Sequence, residues 1–166
     1  MMRGRDSAAT ILAMRSAYKY LAYAIDVLIL VQAAMIAWAV FGLGKWIEDG
    51  NSLTKAKLDS NTFSFAEERG FMIHGINGEM LIPLIGLILL IISFFAKVPE
   101  GPKWAGMLFG GIILQVLLGL FAHGLPFLGM LHGLNALLLF WLAYRTAKQA
   151  DVVAVEASTP AGAAVS

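Results

Sequence analysis

Four stretches of the chain, Tyr20–Phe41, Phe71–Ala96, Trp104–Ala122 and Pro126–Tyr144, are apolar almost without interruption. About 20 such residues in a helix cross the hydrocarbon of a bilayer. In lipid, every backbone N–H and C=O must bond within the protein, which leaves a segment of this kind the helix as its way of spanning. The expectation is an all-α fold: a four-helix transmembrane bundle, up-down-up-down, forming one domain over residues 20–148. Residues 1–19 read as a cytoplasmic, interfacial segment in which Ser7 caps a short helix. Residues 149–166, mostly Ala, Val, Gly, Ser and Thr with Pro160, read as a disordered cytoplasmic tail.

Basic residues orient the spans. Arg3, Arg5, Arg15, Lys19, Lys97, Lys103, Arg145 and Lys148 share one side, and Lys45, Lys55, Lys57 and Arg69 the other. The richer side is cytoplasmic, so both termini lie inside a bacterial-type inner or plasma membrane. Tyr18, Tyr20, Tyr23, Trp104, Trp141 and Tyr144 then form an inner aromatic belt, with Trp46 at the outer boundary. Asp26 falls about one and a half turns into the first span. It reads first as an interface residue near Lys19 or Lys97, and second as a proton relay.

Residues 43–69 form the one sizeable outer loop. Ser64-Phe65-Ala66-Glu67 has the form of a capping box opening the second helix. Pro83 bends that helix. Lys97 to Lys103 make a tight inner turn, Gly106-x-x-x-Gly110 offers a small-residue packing face, and His123-Gly124-Leu125-Pro126 makes the outer turn.

The two halves of the chain repeat a pattern. Gln32 lies inside the first span and Gln115 inside the third. The helix that follows each opens on the same element, His74-Gly75-Ile76-Asn77 and His132-Gly133-Leu134-Asn135. The bundle is therefore expected to consist of two similar helical hairpins with their polar residues facing a shared interior. Gly70, His74 and Gly78 share a face of the second helix; Gly129, His132, Gly133 and Ala136 share one of the fourth. Small residues beside a histidine leave room for a flat ligand or for a close helix neighbour. Polar groups in a membrane span are costly and usually have a partner or a task. Glu79, at the depth of both glutamines, is a candidate for tuning charge nearby.

Three uses of the histidines compete. His74 and His132 can be the axial ligands of one haem b, with Gly75, Gly78 and Gly133 giving it space and Asn77, Asn135, Glu79, Gln32 and Gln115 around it. The same residues can instead be hydrogen-bond partners between the helices of a cofactor-free scaffold or accessory subunit. A divalent metal is the weakest of the three, because the histidines lack nearby carboxylates. The chain has no cysteine, which excludes disulfides and thiolate chemistry. The net charge of +1 carries no signature of nucleic-acid binding. No nucleophile-base pair or phosphate loop is visible, so no catalytic activity is expected of the chain on its own.

The order of these features resembles one four-helix half of the haem A synthase family, and also small uncharacterised four-helix bacterial membrane proteins. In that family a histidine opens the second helix and another the fourth. The stretch Leu114-Gln115-Val116-Leu117-Leu118-Gly119, followed by Leu131-His132, is similar to its third and fourth helices. The resemblance implies that His74 and His132 form a bis-histidine haem pair. The family's enzymes have two such halves and a glutamate one turn before the helix-two histidine. Here there is one half, and Phe71 stands at that position, so the resemblance extends to a haem-holding architecture and not to haem oxidation. The expected function is that of a small cytochrome-b-like protein, carrying electrons to a redox partner or serving in a larger membrane redox complex; self-association is compatible with it. Counting from Ala96 and Tyr144 sets the two histidines about 15 Å apart in height, which makes His123 the alternative ligand.

Overall fold

The computed structural model describes residues 2–60 and 62–158, with side chains from Ser7 to Val152, and the regular structure among these residues is helical throughout. Helix α1 runs Met2–Glu48 and a short α2 runs Lys55–Leu58. A 3-10 turn, Ala66–Glu68, leads into α3 (Arg69–Ile76), a π-helical turn (Asn77–Leu81) and α4 (Ile82–Ser93), which follow one another as a single rod. Helices α5 (Gly101–Ala122) and α6 (Leu128–Ser158) complete the chain. Three helical segments, Ser7–Glu48, Ala66–Ser93 and Gly101–Ala122, are long and apolar enough to cross a membrane. These are the length and composition of a membrane protein. The apolar part of α6 falls short of them because His132, Asn135 and Arg145 interrupt it.

Helix α1 packs against α3, α4 and α6, and α5 packs against α4 and α6. The buried core gathers at the end of the molecule that carries the turn between α4 and α5. Tyr18, Ala22 and Ile25 meet Leu89, Leu108 and Leu142 there. Polar contacts close the same end. Arg15 donates to the carbonyls of Ala96 (3.1 Å) and Lys97 (3.2 Å), holding a turn in which Lys97 and Glu100 are both left-handed. Tyr18 Oη donates to Gly101 O at 3.2 Å. Asp151 of α6 receives Lys19 at 2.6 Å and Lys148 at 2.8 Å.

These contacts revise several sequence expectations. The N-terminal segment is no separate helix but the first turns of α1. The stretch from residue 149, expected to be disordered, continues α6 to Ser158, tied to α1 through Asp151; residues 159–166 lie outside the described residues. Tyr18 is fully buried rather than part of an interfacial belt, because its hydroxyl finds a carbonyl inside. Asp26 is buried, but Lys19 pairs with Asp151 instead, and Asp26 Oδ1 has no partner among the described residues. At the second helix, Glu68 and not Glu67 closes the capping box, accepting the Ser64 N–H at 2.5 Å. Pro83 follows the π turn after one residue, Ile82. Its ring crowds the carbonyl four residues earlier, that of Glu79, which belongs to this wider turn. Gly106 and Gly110 face open space, while Gly111 makes the close approach to Leu139.

Gly70 marks where α3 meets α1: a Cβ there would sit 2.5 Å from Met35 O and 2.9 Å from Ala39 Cβ. Gly70→Ala should cost about 1–3 kcal/mol, the range for overpacking. Gly44→Ala, which meets no atom within 4 Å, should not destabilise. Reversible unfolding in detergent compares the two, and equal effects would contradict the contact. The Lys148 and Lys19 ammoniums hold the Asp151 carboxyl below its ordinary range. A lowered folded-state pKa stabilises above the unfolded value and is lost as pH falls through the folded one. Wild-type protein should therefore lose stability on acidification in a step that Asp151→Asn lacks, read from melting temperature against pH.

Candidate functional site

The core ends at Ile82, Ile112 and Leu139, and above these three the helices part around a cavity of about 930 Å³. That lies in the range of about 300–1,000 Å³ typical of ligand sites. His74 and His132 enter it from α3 and α6. Their ring centroids are 6.1 Å apart, with the planes at 51°.

The same clamp fixes both rings. His74 Nδ1 lies 3.2 Å from Gln32 O, and His132 Nδ1 lies 3.1 Å from Gln115 O. Asn77 Nδ2 donates to Leu28 O (3.2 Å), and Asn135 Nδ2 donates to Gly111 O (3.0 Å). In each hairpin, therefore, a His and an Asn three residues apart take two carbonyls four residues apart on the preceding helix. Since a carbonyl only accepts, Nδ1 of each neutral ring carries the proton, and Nε2 keeps its lone pair. This is the tautomer of a metal-ligating imidazole whose other nitrogen is oriented by a backbone carbonyl.

The halves then differ. Asn135 Nδ2 also donates to Gln115 Oε1 at 2.8 Å. In the first half, Gln32 Oε1 and Asn77 Oδ1 have no partner among the described residues. The Gln32 amide instead lies against Gly78, where a Cβ would collide with Nε2. The matching residue of the second half is Ala136.

The structure places the other predicted residues as follows. Gly75, Gly78, Glu79, Gly133, Gln32 and Gln115 line the cavity. A Cβ at Gly75 or Gly133 would meet open space, so both keep the walls low beside the rings. Glu79 is exposed and sits within the π turn. Asn77 and Asn135 stand behind the histidines, buried. His123 also reaches the cavity, but it is exposed and its Nδ1 lies 3.2 Å from Leu120 O of its own helix. The separation in height expected between His74 and His132 is absent. Arg15 sets Ala96 level with itself, while Lys19 sets Asp151 about 6 Å further along α1. His74 is 22 residues from Ala96 and His132 is 19 from Asp151, so the rings come level. Taking Tyr144 as the inner end of α6 was the error. Sequence reasoning missed Leu28 and Gly111, which act through carbonyls that no side chain advertises.

Among the described residues, no group of three or more His, Asp or Glu is arranged to hold a metal ion. Compared with family models, with curated proteins and with solved structures, the chain matches none.

The two clamps predict unequal losses. Asn135→Leu removes bonds to two acceptors and should cost about 1–2 kcal/mol, whereas Asn77→Leu removes one bond and should cost about 0.6 kcal/mol. Unfolding of both variants in one detergent measures the difference; a larger loss at Asn77 would count against the asymmetry.

Proposed function

We propose that this protein is an up-down-up-down four-helix membrane cytochrome, built from two similar hairpins, that holds one haem b between His74 and His132. The observation that carries the proposal is the 6.1 Å between the ring centroids. With metal–imidazole bonds of about 2 Å and each ring centre about 1 Å behind its nitrogen, two imidazoles on one metal have centres about 6 Å apart. The clamped Nδ1 atoms support the same reading, because they leave Nε2 of each ring as the ligand atom. So does the cavity, whose walls are apolar apart from a few groups and low at Gly75 and Gly133. Two histidines suffice for haem, since the macrocycle brings its own four donors, so the lack of a larger ligand cluster is no obstacle.

In this arrangement the residues divide the work. Gln32 O and Gln115 O orient the imidazoles, Asn77 and Asn135 fix the helix pairs that carry them, and Ile82, Ile112 and Leu139 close the cavity toward the core. A haem held by His74 and His132 would supply one-electron chemistry, which fits electron transfer or a subunit role in a redox complex. The basic residues orient the bundle with both termini in the cytoplasm and the haem near the outer face.

A second reading has its own observation. The His and Asn bonds to carbonyls are complete without any ligand, as in a scaffold joined by polar contacts. The spectrum separates the two. Protein expressed with adequate haem and purified in mild detergent should show a b-type α band on reduction. His74→Ala and His132→Ala should each abolish the low-spin bis-histidine signal, while His123→Ala keeps it. Folded full-length protein with no Soret band would sink the haem reading. For topology, a cysteine at Asn51 should react with an impermeant thiol reagent on intact cells, and one at Ser158 should not; the reverse pattern overturns the orientation.

A further inference from the structure

A second chamber, about 450 Å³, lies under the loop that joins α1 to α3. Phe71 and His123 line both it and the larger cavity, so the two are neighbours through those side chains. Its walls are aromatic and aliphatic, chiefly Phe63, Phe65, Phe71 and Leu58, and its polar groups are Glu68 and His123.

The polar pair is unusual in what it offers. Glu68 spends Oε2 on the Ser64 N–H, which leaves Oε1 as an acceptor. His123 has Nδ1 on Leu120 O, which leaves Nε2 of the neutral ring as an acceptor as well. The two atoms left over, Glu68 Oε1 and His123 Nε2, both offer lone pairs. The ligand that completes them is apolar and flat enough for phenylalanine walls, and it brings its own donors. Apolar side chains surround the chamber. Leu58, Phe63 and Phe71 are exposed around the chamber, and so are Leu125 and Phe127 of the neighbouring turn.

We propose that this chamber binds the ring of a lipid-soluble hydroquinone, one phenolic O–H donating to Glu68 and the other to His123 Nε2, with the tail in the bilayer. The quinone form has carbonyl oxygens in place of both donors, so the site favours the reduced form. Binding rests on the chamber's own residues; only its use, beside the cavity between His74 and His132, rests on the haem reading.

The test is direct binding to the full chain in lipid nanodiscs, with the proposed haem spectrum recorded separately. The probes are decyl-benzohydroquinone kept reduced under anaerobic conditions, its quinone form, and decylbenzene, which has the same tail and no ring oxygens. The hydroquinone should bind about a hundredfold more tightly than the quinone, because two hydrogen bonds of about tenfold each are lost together. Decylbenzene should not compete. Glu68→Gln and His123→Phe, the second of which keeps the ring bulk, should each weaken hydroquinone about tenfold without weakening the quinone. A photoactivatable analogue should label residues 63–72 and His123, and excess hydroquinone should suppress the labelling. Equal binding of all three probes, or labelling spread over the lipid-facing helices without competition, overturns the proposal. Loss of the Soret band with hydroquinone binding intact would fault the haem reading alone.

Discussion

The half of this molecule that holds the cavity depends on one interaction made twice: a histidine and an asparagine on one helix capturing two carbonyls on the preceding one. A helical carbonyl already accepts from its own helix, but its second lone pair is free. In an apolar surrounding that lone pair is among the few partners a polar side chain can find. Taking it costs no helical bond. The capture also sets rotation and depth together, because carbonyls four residues apart lie one above the other along the helix. Each hairpin therefore arrives with its imidazole already aimed, and the meeting of two hairpins brings the two ring centroids to 6.1 Å from each other.

The other half of the molecule makes that meeting possible. Around the turn between α4 and α5, small and aliphatic side chains let the helices close, with Ala22, Ala105, Ala143 and Ala147 fully buried. Arg15, Tyr18 and Lys19 pin α1 to the turn and to α6. Toward the loop side, α3 packs on α1 and α6 on α5, and the two pairs diverge. A cavity results without any cut in the helices: a bundle tight at one end and open at the other. Its floor is the last layer of the core.

Much of this was legible in the sequence. The apolar runs fix the helices, since few other structures survive in lipid. The recurrence of His-Gly-x-Asn after a buried glutamine marked both hairpins and the residues that meet. Helix limits were harder. Composition falls off at Lys19 and Tyr144, but α1 and α6 continue past both, because Asp151 ties Lys19 and Lys148 together. That contact spans most of the chain and has no local signature. The same ion pair corrects the height of His132. Gly106 and Gly110 misled for the opposite reason: their spacing is a general packing motif, yet Gly111 is the residue that α6 approaches. The partners of the histidines were hidden, because every residue has a carbonyl and only geometry selects Gln32 and Gln115.

The repeat is also imperfect in one direction. The π turn, the Gly78 notch filled by the Gln32 amide and Gln32 Oε1 and Asn77 Oδ1, which lack partners among the described residues, all belong to the first hairpin. The second hairpin is a regular helix pair with its asparagine bonded to both Gly111 O and Gln115 Oε1. An acceptor left without a donor in a buried place costs about 1–3 kcal/mol. π turns are frequent at functional sites, and this one carries Glu79, the cavity's carboxylate. The cavity thus has one fixed wall and one whose hydrogen bonding is incomplete. The fixed wall, with His132 on it, serves as the reference. On the other wall a π turn carries Glu79 onto the cavity one turn below His74, where a regular helix would turn it elsewhere. The two clamps share one geometry, and the departures from it are confined to the side that holds the acid.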